Sequence, residues 1–180
     1  ATEKAKDLVR MAVAKVALLE PIERMQVDLN QSALVIGGGI AGMSAALNLA
    51  DQGFKTYLVE EKAELGGHGL KVRRTWKGED VGGFIEGLKD RVLKHQNIEV
   101  LMESKLVDVH GFVGQFNTTV ASNGTTRDIE HGVAIIAIGA HSLKPEAYLY
   151  GQSDRVTRWH ELEELFEKEP NRLQEAKSVA

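Results

Sequence analysis

The sequence predicts an α/β domain with a mostly parallel sheet and a small antiparallel β-meander. Three observations point there. A strand-length apolar run leads through three consecutive glycines into helix-forming sequence and on to a second β-branched run. Helical spacing and short strand-like runs then alternate, as in βαβ units. Finally, three segments of alternating apolar and polar residues follow one another, with Asn123-Gly124 between the last two as a hairpin signal.

The elements follow in order. Leu8, Met11, Val13, Val16 and Leu19 predict a helix over the first twenty residues, ended by Pro21. After a polar connector, Ala33–Ile36 has strand length and Ile40–Ala50 has helix-forming composition. Gly53 supplies a C-cap, and Thr56–Val59 reads as a second strand parallel to the first. Residues 61–78 have little periodicity and read as loop. Between Glu79 and His95, residues Val81, Phe84, Ile85, Leu88, Val92 and Leu93 fall at helical spacing, and Ile98–Leu101 is a short strand. Lys105–His110, Gly114–Ala121 and Thr125–His131 form the meander. Val133–Ile138 is continuously apolar, which predicts a strand buried on both faces. A loop with Pro145, Tyr148 and Tyr150 leads to a last amphipathic helix near Trp159–Lys168.

Composition bounds the function. The chain has 180 residues, 43% hydrophobic and 27% charged, which describes a globular domain and excludes disorder or low complexity as a description of the whole. The residues divide into an N-terminal helix and connector, 1–30, and an α/β unit, 31–180. A net charge of −4 gives no global basic field, so nucleic acid is not favoured as a partner. No apolar run reaches the roughly 18 residues of a membrane span, and the chain reads as intracellular and soluble. With no cysteine, this stretch holds no disulfide, thiolate nucleophile, iron–sulfur ligand or Cys-type zinc site. The six histidines share no metal-binding spacing, so no metal site is expected. The opening at Ala1, directly in helical pattern, suggests a piece of something longer.

The chemistry is concentrated in Gly37-Gly38-Gly39-Ile40-Ala41-Gly42, a GxGxxG that follows a strand and opens a helix. Gly37 permits the tight turn, Gly39 lets the backbone approach a pyrophosphate, and Gly42 lets helix and sheet pack closely. The phosphates then meet unpaired N–H groups of the first turn, at Ile40 and Ala41. Glu60 ends the second strand about twenty residues on, where a carboxylate accepts hydrogen bonds from an adenosine ribose. That acid argues against a ribose 2′-phosphate, since two anions would face each other. NAD and FAD both use this first turn. The segment Glu60-Glu61-Lys62-Ala63-Glu64-Leu65-Gly66-Gly67 adds a second glycine pair, and resembles the signature of flavoproteins with two dinucleotide-binding domains. In that class the glycines run beside the FAD pyrophosphate and ribityl chain. Ile135-Ile136-Ala137-Ile138-Gly139-Ala140 resembles the same class's Ala-Thr-Gly segment, with Ile138 in place of Thr.

The stretches ALVIGGGIAGMSAALNLADQGFKTYLVE, KHQNIEVL, VDVHGFVGQF, EHGVAIIAIGA and KPEAYLYG resemble the heterodisulfide reductase A-subunits of anaerobic archaea and bacteria, and the opening resembles the helix preceding that family's FAD domain. The resemblance implies a Rossmann-like FAD-binding domain of a cytoplasmic flavoprotein that carries iron–sulfur clusters and works with other subunits. In methanogens such proteins take part in reducing the coenzyme M–coenzyme B heterodisulfide, the flavin splitting electron pairs between acceptors. It further implies that Gly37, Gly39 and Gly42, with Ile40 and Ala41, meet the pyrophosphate, and that Glu60 meets the ribose with Glu61 and Lys62 beside it. Gly66 and Gly67 would face the pyrophosphate or ribityl region, Leu106 or Val107 the adenine through its backbone, and Ala137 and Gly139 the pyrophosphate. His68, beside the glycine pair, is either a solvated loop residue or a neighbour of the flavin. The family's cysteine-rich motifs and second dinucleotide fingerprint are not in this sequence, which restricts the resemblance to a first FAD-binding segment.

No residue is nominated as catalytic acid or base. Lys71, Arg73 and Arg74 cluster around Trp76, either as a solvated loop or as a phosphate clamp or docking face. Alternatives to the flavin reading are an NAD-binding dehydrogenase domain and a nucleotide-binding interaction module without catalysis.

Overall fold

The protein is described by a computed structural model covering residues 2–20, 26, 28–169 and 171. Helix α1 spans Thr2–Ala17 and buries none of its side chains; Pro21, its expected terminator, lies outside the described residues. Strand β1 (Ala33–Ile36), helix α2 (Ile40–Asp51) and strand β2 (Thr56–Val59) form the expected βαβ unit. Helix α3 (Val81–Lys94) and strand β3 (Ile98–Leu101) add a second crossover. The meander is β4 (Ser104–Phe112), β5 (Gln115–Ser122) and β6 (Thr125–His131), and β7 (Val133–Ile136) and α4 (Trp159–Lys168) complete the order.

Four strands form a parallel sheet in the order β3-β2-β1-β7, with Ala33 level with Thr56 on one side and Val133 on the other. Alternation along each strand divides the sheet's two faces. Val35 and Leu58 point toward α2 and α3, where they pack with Met43, Ala46, Leu47, Leu65, Ile85, Leu88 and Val92. Leu34 and Val59 point the other way, onto Val120 and Ile129 of the meander. The result is three layers: helices, parallel sheet, antiparallel sheet. Burial of each such side chain stabilises by about 1.5–3 kcal/mol.

Local chemistry sets the boundaries. The Asp80 carboxylate accepts from the Gly83 N–H at 3.2 Å, capping α3. Asn123 (φ 47°) and Gly124 (φ 79°) both take positive φ, the geometry of a two-residue hairpin turn whose twist matches its strands. Gln52 caps α2 and Gly53 follows it at φ 92°, one position beyond the cap itself. His131, fully buried where the meander meets the sheet, contacts the Thr118 hydroxyl (2.8 Å) and the Val133 carbonyl (3.1 Å). Burial lowers its pKa, favouring the neutral ring.

Two expectations need correction. The span 61–78 is not wholly loop, because Gly67–Lys71 winds into a 3-10 helix; a five-residue turn of this kind carries no apolar period to read. Strand β7 is not buried on both faces. Among the described residues it pairs only with β1, at the sheet's edge, leaving Val133 47% and Ile136 73% exposed. An apolar run reports strand propensity, whereas burial depends on neighbours supplied by topology.

Candidate functional site

The carboxyl ends of β1, β2 and β7 open into a cleft of about 610 Å3, the position where open α/β sheets bind ligands. Its floor is the turn from β1 into α2. Gly37, at φ 106°, makes that turn, and a Cβ there would collide with the Ala137 carbonyl. A Cβ on Gly42 would collide with the Gly37 carbonyl, so this glycine serves the packing of α2 against the sheet. Gly39 differs from both. Its φ is −72°, which any residue adopts, and a Cβ there would meet no protein atom within 4 Å. No packing contact among the described residues requires glycine at 39, and the missing side chain leaves the N-terminus of α2 bare toward the cleft. Gly39 caps that helix without a side-chain hydrogen bond, so the first-turn N–H groups and the positive end of the helix dipole face the cavity.

The second glycine pair crosses the first turn. The Gly66 N–H donates to the Gly38 carbonyl at 2.8 Å, and a Cβ on Gly67 would lie 3.2 Å from the Gly39 Cα. Gly66 and Gly67 both have positive φ (119° and 57°), so the close passage and the backbone conformation each call for glycine. The crossing is anchored by buried Leu65 and by Lys89, whose ammonium pairs with Glu64 at 2.7 Å and Glu86 at 2.9 Å. These two carboxylates raise the Lys89 pKa.

Glu60 is nearly buried at the end of β2. One of its oxygens accepts from the Gly38 N–H at 2.6 Å and the other from the Lys62 N–H at 2.8 Å. Each carboxylate oxygen carries two lone pairs, so both keep acceptor capacity for hydroxyl donors. Beside it, Lys105 pairs with Glu61 at 2.6 Å, and this partner lowers the Glu61 pKa. On the opposite wall, the His68 Nε2 contacts the Ala140 carbonyl at 2.6 Å, tying the 3-10 helix to the loop after β7, where Gly139 turns at φ 68°. A diphosphate linked to a ribose fits this set: bare helix-terminal donors, a free approach at Gly39, and a carboxylate at the next strand end. No group of three or more His, Asp or Glu side chains among the described residues is arranged to hold a metal ion.

The family model described as pyridine nucleotide-disulphide oxidoreductase matches residues 31–177. The chain belongs to the pyridine nucleotide-disulphide oxidoreductase family. Within that family it is a homologue of the heterodisulfide reductase A-subunits. It is 48% identical over 121 residues to the A-subunit of the H(2):CoB-CoM heterodisulfide,ferredoxin reductase of Methanothermobacter marburgensis, a match over 67% of this chain and 18% of that one. A protein of Archaeoglobus profundus described as like the heterodisulfide reductase A-subunit is 46% identical over 129 residues, 71% of this chain and 18% of its own. The matched segment thus spans less than a fifth of these relatives. L-proline dehydrogenase from P. horikoshii shares the fold, with a TM-score of 0.54 over 67% of this chain and 24% of that one, at 24% identity.

In this family member the cleft gathers most of the residues singled out from sequence: Gly37, Gly39, Ile40, Ala41, Glu60, Glu61, Lys62, Gly66, Gly67, His68, Leu106, Ala137 and Gly139. Two stand apart. Gly42 lies beneath the turn, and Val107 sits at a bulge in β4 that directs it outward, 63% exposed. Sequence reasoning missed Ser104, Lys105 and His141, which also line the cleft. Lys105 carried a readable signal, since it begins the alternating segment that supplies Leu106; His141 carried none.

Proposed function

We propose that residues 31–180 are the FAD-binding unit of a cytoplasmic, electron-transferring flavoprotein of the heterodisulfide reductase A type, with residues 1–30 as its leading helix and connector. The observation that carries this reading is Gly39: a glycine that packing among the described residues does not need, at a helix N-terminus facing a cleft. The backbone donors of Gly39, Ile40 and Ala41 would hold the diphosphate, with Gly37 shaping the turn beneath it. Glu60 would accept from the adenosine ribose, and the Leu106 backbone would contact the adenine. Gly66, Gly67, His68, Ala137 and Gly139 would line the path toward the flavin. When bound, FAD supplies one- and two-electron exchange, while the protein provides position and electrostatics.

The relative from Methanothermobacter marburgensis is, by its name, the A-subunit of a CoB-CoM heterodisulfide,ferredoxin reductase. We take the same acceptor class for the protein to which this segment belongs, with electron bifurcation between two acceptors as the mode. Other subunits, iron–sulfur regions and a second dinucleotide-binding region are its expected partners. Thermal unfolding with added FAD, ADP and NAD tests the binding reading. A ligand present at 100 times its Kd stabilises by about 2.7 kcal/mol, so FAD and ADP should both raise Tm. Stabilisation by NAD and not by FAD would assign the cleft to a dehydrogenase, and stabilisation by none would assign it to an interaction module.

A further inference from the structure

The turn between the 3-10 helix and α3 plays no part in the cleft, yet it is closely organised. The Thr75 N–H donates to the Glu79 carbonyl at 3.1 Å, the Gly78 N–H to the Thr75 carbonyl at 2.8 Å, and the Val81 N–H to the Arg73 carbonyl at 3.1 Å. The Thr75 hydroxyl donates to the Glu79 carboxylate at 2.8 Å, and Arg74 to the Gly78 carbonyl at 3.2 Å. This scaffold presents Trp76 at its tip, 91% exposed, with the Lys77 ammonium 5.2 Å from the ring centre. Lys71, at the end of the 3-10 helix, with Arg74 and Lys77 in the turn, place three cations around Trp76 in a chain whose net charge is −4. The turn's own acids are committed locally, Glu79 to Thr75 and Asp80 to the cap of α3.

A large aromatic held fully in water contributes nothing to the core, while Trp and Arg are the side chains most enriched at binding hot spots. We propose that this turn is a docking site for the acidic face of a small electron-carrier protein, with Trp76 as the apolar anchor and the cations as the steering charge. The position supports an electron carrier: the 3-10 helix begins at Gly67 in the cleft wall and ends at Lys71 beside the turn, a span of roughly 10 Å at this helix's rise per residue. The inference rests on the electron-transfer reading of the cleft.

The test uses the full-length protein containing this segment, with an acidic ferredoxin as the probe and α-lactalbumin, acidic but redox-inactive, as the control. The wild type should bind ferredoxin more tightly than α-lactalbumin, with affinity falling as salt rises. K71E/K77E should weaken ferredoxin binding about tenfold at low salt, and W76A should weaken it about as much with little change in salt dependence. Flavin content should be unchanged in both variants, which separates failure here from failure of the FAD assignment. Unaltered ferredoxin affinity in both variants would overturn the proposal, as would equal binding of the two proteins by the wild type. Shielding of Trp76 from iodide quenching in the full-length protein by itself would assign the turn to its own polypeptide, and loss of a dimer in W76A would assign it to a second copy; either result overturns it.

Discussion

Gly39→Ala separates a glycine kept for a ligand from one kept for the fold. The added Cβ meets no protein atom within 4 Å, and φ at −72° is unstrained. Alanine is a poorer N-cap than glycine, at a cost of up to about 1 kcal/mol. Reduced freedom of the unfolded chain offsets about 0.4–1 kcal/mol of that. The net change in stability is therefore within about 0.5 kcal/mol, or roughly 1–2 °C in Tm for a domain of this size. Ligand binding should respond very differently. A methyl over the helix terminus blocks phosphate approach to two backbone donors, each charge-assisted bond being worth about 1.5–3 kcal/mol. Loss of about 3 kcal/mol is on the order of a hundredfold in Kd. Calorimetry with ADP alongside thermal unfolding reads both quantities. Gly42→Ala is the contrasting variant: its Cβ collides with the Gly37 carbonyl, so it should lose about 1–3 kcal/mol of stability even without ligand. Wild-type ADP affinity in Gly39→Ala, or a ligand-free Tm as depressed as that of Gly42→Ala, would refute the reasoning.

Glu60→Gln should destabilise by about 1–3 kcal/mol, because an amide offers one acceptor where the Gly38 and Lys62 N–H groups need two; urea unfolding measures it, and an unchanged midpoint would count against the buried role. Near α4, hydrogen bonds from Arg158, aided by its charge and by the Tyr150 hydroxyl, hold the Glu161 pKa down to about 2 from 4.5. A depressed carboxylate pKa stabilises above its unfolded value, so the docking of α4 should weaken as pH falls from about 4.5 toward about 2. Trp159 fluorescence should follow that transition, and Glu161→Gln should show the loosened signal already at neutral pH. His131 has its pKa lowered by burial, so its unfolded form takes up the proton first. Stability of the meander should then be fully present above about pH 6.5 and decline below it; a flat profile by hydrogen exchange between about pH 7 and pH 5 would contradict this.

The βαβ unit was legible because its signals are local. Three glycines stand between Ile36 and Ile40, the first of them making the turn, and an acid stands at the end of Thr56–Val59. The cleft was largely legible for the same reason. Less visible was the double service of Glu60, whose carboxylate also fastens the Gly38 turn, and of Gly66, whose N–H binds that turn from the next loop. Long-range geometry accounts for what was missed. Lys105 reaches the cleft only because β4 starts beside the end of β2, and His141 only because the loop after β7 closes against His68. The exposure of Ile136 follows from β7 having one strand neighbour, a fact of topology that no apolar run encodes.

The most direct test of the central claim is the flavin content of the purified full-length protein. On denaturation it should release FAD, identified by the rise in fluorescence when phosphodiesterase cleaves it to FMN, and the FAD content should fall in Gly39→Ala. A protein that releases no flavin, or whose flavin content is indifferent to Gly39→Ala, would contradict the account.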